Sequence, residues 1–165
     1  MSGLTLFLGE RNSGKSIVAE RFALQRSERP TYGITLPTCT EFADRIFRHR
    51  VRRSDLWDDL DLVVPHKQAL GRLAERAALS TFILVDGLAT LFWVQFSLFG
   101  RSRYELDSLG KHLVRLIAGS STTEWVLVDC PAPLPSKAEF LWFNELMDNF
   151  YCSLREALPH EVIHH

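Results

Sequence analysis

Leu4-Thr5-Leu6-Phe7-Leu8-Gly9-Glu10-Arg11-Asn12-Ser13-Gly14-Lys15-Ser16 is the stretch whose reading decides the fold. Its first five residues form a short apolar run suited to a strand buried on both faces. Gly9 to Ser16 then match the pattern G-x-x-x-x-G-K-[ST], in which every fixed position has a mechanical job. Gly9 and Gly14 let the backbone turn tightly and approach a polyphosphate. The amides from Asn12 to Ser16 aim inward at the anion, Lys15 reaches the β- and γ-phosphates, and the Ser16 hydroxyl is a ligand for Mg²⁺. From Ser16 to Gln25, Ile17, Val18, Phe22 and Leu24 recur at helical spacing. Strand, loop and helix N-terminus together make an anion site with the positive end of the helix dipole behind it. Gly9, Glu10, Arg11, Asn12, Ser13, Gly14, Lys15 and Ser16 are therefore expected to bind the nucleotide. The competing reading is a glycine-rich turn with no ligand.

Working outward, the chain alternates strand and helix signals. Pro30 to Thr35 reads as a strand, followed by a loop at Pro37 to Thr40. Thr40 is placed to cap a polar helix from Glu41 to Arg53. Asp58-Asp59-Leu60-Asp61 reads as an acidic turn, Leu62-Val63-Val64 as a short strand, and Pro65 as the start of a helix to about Ala78. Thr81 to Val85 reads as a buried strand ending in Asp86. Two helices follow, over Leu88–Leu98 and Tyr104–Ala118, and then a buried strand over Glu124–Asp129. The prolines at 131, 133 and 135 force an extended connector. A long helix is expected from Ser136 to Leu158 and a last strand at Glu161 to Val162-Ile163. This alternation predicts an α/β, P-loop NTPase-type three-layer fold, with a mainly parallel sheet and helices on both faces. In such folds ligands sit at the C-terminal ends of strands, where Gly9, Thr35, Asp86 and Asp129 all fall.

The chain's 165 residues predict one nucleotide-binding domain over residues 1–165. Hydrophobic content of 46% and a net charge of -1 are those of an ordinary globular protein and argue against a nucleic-acid partner. Only four of the basic residues are lysines, Lys15, Lys67, Lys111 and Lys137. The rest are arginines, the better side chain for forked phosphate contacts. Cys39, Cys130 and Cys152 are too scattered to pair with a histidine at metal spacing, so reduced thiols are expected. The chain opens without a basic n-region or cleavable apolar core, and no apolar stretch is long enough to span a bilayer. A cytoplasmic enzyme is the expectation. The apolar Leu88 to Phe99 segment is a candidate interface for a homo-oligomer.

Arg45, Arg48, His49, Arg52 and Arg53 recur at helical spacing and share one broad face. A polyphosphate would relieve their mutual repulsion, with Arg45 and Arg53 as nucleotide contacts. A neutral imidazole among them is a competent nucleophile toward phosphorus. Two other readings stand beside it. The stripe is a solvated face paired with Asp55, Asp58, Asp59 and Asp61, or His49 is a histidine packed against Phe42 and Ile46.

The chain resembles the bifunctional adenosylcobinamide kinase/adenosylcobinamide-phosphate guanylyltransferase family of cobalamin assembly. The resemblance lies in the Gly9 to Ser16 loop followed by Ala19-Glu20-Arg21, and in Tyr32-Gly33-Ile34-Thr35 for a Tyr-x-x-Thr strand end. It lies above all in Glu41 to Trp57, which keeps the spacing of E-M-x-x-R-I-x-x-H-R-x-x-R-P-x-x-W with Phe42 and Ser54 in place of Met and Pro. It covers about the first 95 residues. It implies that His49 takes GMP from GTP as a covalent phosphoramidate. It also implies that Lys15 and Ser16 hold the triphosphate and Mg²⁺, and that Asp86 is the acidic partner of the metal. ATP or GTP would phosphorylate an alcohol of the corrinoid, and GMP would then pass to that phosphate. His49, Lys15 and Asp86 are thus the expected catalytic residues.

The second half departs from the pattern. Asp129-Cys130-Pro131 stands where the family has Asn-Glu-Val-Gly, and Val63-Val64 stand where it has acidic residues before Pro65. Asp129 is the residue available to replace the missing Glu or to act as a second carboxylate beside the metal. Two alternatives remain beside the corrinoid enzyme. One is a diverged P-loop kinase acting on another small-molecule alcohol. The other is a non-catalytic NTP-binding regulatory protein.

Overall fold

The structure, a computed structural model, describes residues 3–38, 43–130 and 137–165. The elements run β1 (Leu4–Leu8), α1 (Lys15–Leu24), β2 (Thr31–Ile34), α2 (Ala43–Arg53), β3 (Asp58–Asp61), α3 (His66–Leu79) and β4 (Phe82–Asp86). They continue through α4 (Leu88–Ser97), α5 (Arg103–Gly119), β5 (Glu124–Asp129), α6 (Leu141–Ala157) and β6 (His160–His164). Single 3₁₀ turns precede β3 (Ser54–Leu56) and α6 (Ala138–Phe140). Among the described residues no helix is long and apolar enough to cross a membrane.

The six strands form one sheet in the order β3-β2-β4-β5-β1-β6, and every pair in it is parallel. Parallel strands need helical crossovers that cover both faces, which is why these strands read as continuous apolar runs. Side chains alternate between two cores. Leu4, Leu6, Leu8, Ile83, Val85, Trp125 and Leu127 face α3, α4, α5 and α6. Phe7, Phe82, Leu84, Val126 and Val128 face Ala19 and Ala23 of α1 together with Trp57. The expected three-layer α/β fold with helices on both faces is the one found.

One expected element lies elsewhere. The last strand before α3 is Asp58–Asp61, read from the sequence as a turn, while Leu62 to Val64 lie beyond it. The acidic segment is an edge strand pairing only with β2, with Leu60 turned inward and Asp59 and Asp61 exposed. An edge tolerates carboxylates, and charge there discourages pairing with another chain. Arg29 and Arg76 flank Asp58 at 2.7 and 3.5 Å, and Arg72 lies 3.6 Å from Asp61. Thr40 and Glu41, expected to begin α2, and the proline connector lie outside the described residues.

The apolar Leu88 to Phe99 segment is α4 and its C-terminal turn. Leu88, Leu91, Phe92 and Val94 are buried in the protein's own core, while Phe96 and Leu98 are exposed. Cys130 and Cys152 are free thiols.

Candidate active site

The glycine loop joins β1 to α1. Gly14 takes φ 86° and caps α1 at its N-terminus, and Ile17 N and Val18 N donate to its carbonyl at 3.1 and 3.2 Å. Asn12 is also left-handed at φ 60°, a region Asn enters at low cost. Lys15 Nζ donates to the Glu10 carbonyl at 2.8 Å. Ser13 Oγ is buried without a partner among the described residues, a polar atom in the loop left for a ligand. Gly9 is needed for space as well as for turning. A Cβ there would overlap the His165 carbonyl oxygen, because His165 N donates to Leu8 O (2.9 Å) and carries the end of β6 past the loop.

Asp86 ends β4 and links this loop to the second group of residues. Ser16 Oγ donates to Asp86 Oδ1 at 3.1 Å, and Tyr32 Oη donates to Asp86 Oδ2 at 2.8 Å. Thr35 Oγ1 donates to the Asp86 carbonyl at 2.7 Å, tying the end of β2 to the end of β4. Gly87 follows at φ 77° and starts α4.

His49, from the middle of α2, reaches this point with its side chain 19% exposed. Its Nδ1 lies 3.2 Å from Arg52 Nη2, 3.5 Å from Tyr32 Oη, 3.9 Å from Glu20 Oε1 and 4.0 Å from Asp86 Oδ2. Burial lowers its pKa to about 4, helped by Arg52, Arg45 and Arg53 and opposed by Asp86. The imidazole is therefore neutral at pH 7, the form a nucleophile needs. Burial, with Asp86 beside it, raises Tyr32 well above the ordinary phenol value, so Tyr32 stays a donor.

The arginine stripe divides. Arg52 forks onto Glu20 with two bonds of 2.6 Å. Arg53 is buried, its guanidinium 3.7 Å above the Tyr32 ring and 3.5 Å from Asp59. Arg45 is exposed and borders, with His49 and Arg53, a cavity of about 290 Å³. Arg48 folds back on the Asp44 carbonyl at 3.3 Å. Among the described residues, the ion pair between the stripe and the aspartates proposed for the solvated face is that of Arg53 with Asp59. Ile46 borders the same cavity, and Phe42 lies outside the described residues.

The residues expected around the phosphates are thus brought together in two adjoining parts. The loop from Gly9 to Ser16 meets Asp86 on one side, and Thr35, Arg45, His49 and Arg53 line the cavity on the other. Glu10 and Arg11 sit exposed on the outside of the loop. Sequence reasoning passed over Glu20, Tyr32 and Arg52 as site residues. Glu20 and Tyr32 stood in the quoted motifs, and Arg52 stood both in the arginine stripe and in the Glu41 to Trp57 segment.

Asp129 does not join the site. It is fully buried, and Tyr151 Oη (2.6 Å), Ala89 N (3.0 Å) and Cys130 N (2.9 Å) all donate to its carboxylate. It staples β5 to α4 and α6.

The donors near Ser16 suit Mg²⁺. A hydroxyl and a carboxylate oxygen already in contact at the mouth of the loop are hard ligands that leave room for water and phosphate oxygens. Donor atoms of Glu20, His49 and Asp86 also lie within 4.8 Å of one another. Both Glu20 oxygens are held by Arg52, so Ser16 with Asp86 is the better match.

A parallel sheet with this loop at its C-terminal edge defines a P-loop nucleotide-binding protein. The family model described as cobinamide kinase / cobinamide phosphate guanyltransferase matches residues 5–130. The chain belongs to that enzyme family, whose place is in cobalamin biosynthesis and whose substrates are a nucleoside triphosphate and a corrinoid. No curated protein matches the chain.

Proposed function

We propose that the chain takes GMP from GTP onto His49 and passes it to cobinamide phosphate, after phosphorylating cobinamide at the same loop. The observation that carries this reading is the bridge through Asp86. One carboxylate touches Ser16 of the phosphate loop and lies 4.0 Å from Nδ1 of a half-buried His49, whose pKa is lowered to about 4. A triphosphate seated by Gly9 to Ser16 would thus lie beside the imidazole.

In this reading the loop amides and Lys15 hold the β- and γ-phosphates. Arg45 and Arg53 stand on the cavity side, where charge on the transferring phosphoryl group needs neutralising. Thr35 fixes the end of β4 and with it Asp86. Ser16 and Asp86 would hold Mg²⁺, which neutralises phosphate charge and orients the leaving group. His49 attacks the α-phosphorus and pyrophosphate departs. A phosphate oxygen of the acceptor then attacks the same phosphorus and frees the imidazole.

The test is incubation of wild type and His49→Ala with Mg²⁺ and α-phosphate-labelled GTP, with ATP alongside, followed by denaturation and mass analysis. The expected result is an acid-labile GMP adduct on wild type alone. Nucleotide binding with no adduct would sink the guanylylation reading. It would leave a kinase acting on a small-molecule alcohol.

A further inference from the structure

Glu20 and Arg52 lie outside the phosphate loop, yet both reach the imidazole of His49. Arg52, late in α2, crosses to α1. Its Nε donates to Glu20 Oε2 and its Nη2 to Oε1, each at 2.6 Å. Glu20 is only 4% exposed, so the carboxylate is held in place. The same Nη2 is 3.2 Å from His49 Nδ1, and Glu20 Oε1 is 3.9 Å from that nitrogen.

A guanidinium has donors only, so at this contact His49 Nδ1 accepts. A neutral imidazole that accepts at Nδ1 carries its proton on Nε2. In this form Nε2 has no free lone pair and the Nδ1 lone pair is engaged. Neither nitrogen is ready to attack phosphorus.

We propose that Arg52 and Glu20 form a nucleotide-released clamp that sets the tautomer of His49, an inference that rests on His49 being the nucleophile. A triphosphate in the cleft offers the Arg52 fork doubly acceptor-rich phosphoryl oxygens. As Arg52 turns to them, Nδ1 loses its donor and Glu20 loses its cation. Nε2 gives its proton to water, Nδ1 takes one from water, and the new Nδ1–H donates to Glu20 Oε1. The ring keeps one proton throughout. The Nε2 lone pair then forms the bond to the α-phosphorus. The bond from that phosphorus to the bridging oxygen breaks, and pyrophosphate leaves with the electron pair. Glu20 stays against Nδ1–H and stabilises the positive charge of the phosphorylated ring. Both are positioning residues, acting on phosphorus only through His49.

The experiment uses protein labelled with ¹⁵N-histidine and two-bond ¹H–¹⁵N correlation spectra, with the His49 signals assigned by their loss in His49→Ala. The probes are the free protein and the protein with Mg²⁺ and α,β-methylene GTP, which cannot transfer GMP. The expected result is Nε2–H in the free protein and Nδ1–H with the analogue. In Arg52→Gln, Nδ1–H is expected without any nucleotide. In Glu20→Gln the analogue leaves Nε2–H in place, and GMP labelling slows by about 100-fold or more. Amidation of the orienting carboxylate in a serine–histidine triad costs about 10⁴. Nδ1–H in the free wild type, or a Glu20→Gln protein labelled at the wild-type rate, overturns the clamp. A wild type that switches tautomer but never carries GMP supports the clamp and refutes the nucleophile.

Discussion

Asp86 and Asp129 end adjacent parallel strands, β4 and β5, and each accepts a hydrogen bond from a tyrosine, yet one faces the site and the other is a structural staple. Asp86 takes Tyr32 Oη at 2.8 Å and Ser16 Oγ at 3.1 Å, with its side chain 10% exposed beside His49. Asp129 takes Tyr151 Oη and two backbone amides; burial raises its pKa to about 6 against the pull of those three donors. The strand end aims both carboxylates at the same edge of the sheet. What arrives there decides their roles. Over Asp86 come the loop serine and α2, and over Asp129 come the first turn of α4 and the flank of α6.

The sharpest way to break this comparison is to amidate each carboxylate. Asp86→Asn is expected to lower the rate of GMP transfer by about 10³-fold, in line with losing one group that stabilises transition-state charge. Its thermal midpoint should shift little. Rapid-quench labelling with GTP checks the rate, and a loss below about tenfold would remove Asp86 from the chemistry. Asp129→Ala should do the reverse. It leaves three donors unpaired and is expected to cost about 2–4 kcal/mol in urea unfolding, with transfer by the folded fraction unchanged. A catalytic loss without a stability loss would make the two aspartates alike.

The pH dependence separates the two regions with opposite signs. Asp129 goes from 3.8 to about 6 on folding, so between these values the folded state holds more protons. Its contribution to stability is full at acid pH and falls as pH rises through 4 to 6, by about 3 kcal/mol at 1.36 kcal/mol per unit. His49 goes from 6.5 to about 4, so its contribution falls as pH drops from 6.5 to 4. Urea midpoints from pH 4 to 7 should therefore lose more on the acid side in Asp129→Asn than in wild type, and less in His49→Gln. Three parallel curves would contradict both shifts.

The tyrosines give the smallest effects. Tyr151→Phe is expected to cost about 1–2 kcal/mol of stability and no activity. Tyr32→Phe frees Asp86 Oδ2 and should slow transfer by about tenfold, read as kcat with KM for GTP nearly constant. Equal stability losses with equal rates would show that both phenols serve packing alone.

Most of the architecture was legible because its signals are local. The apolar runs of β1, β4 and β5, the glycine loop and the helical periodicities each lie within a few residues of sequence. The Asp58 to Asp61 strand was misread because polarity suggests a turn, and only pairing with β2 on one side makes it an edge. Within the site, the loop, Asp86 and His49 were legible from motif and strand position. The Arg52–Glu20 fork and the Tyr32–Asp86 bond were not, because they span 32 and 54 residues.

The sequence by itself determined the strand, glycine loop and helix of the G-x-x-x-x-G-K-[ST] motif, the α/β order and the placement of a histidine among arginines on one helix. Those follow from backbone geometry and from side-chain periodicity along a single segment. Only the tertiary structure decided which arginine grips which carboxylate, that His49 is half-buried with its pKa lowered, and that Asp129 staples β5 to α4 and α6. Those depend on where α1, α2, α4 and α6 cross the ends of the strands, and on the burial and dielectric that the crossing creates.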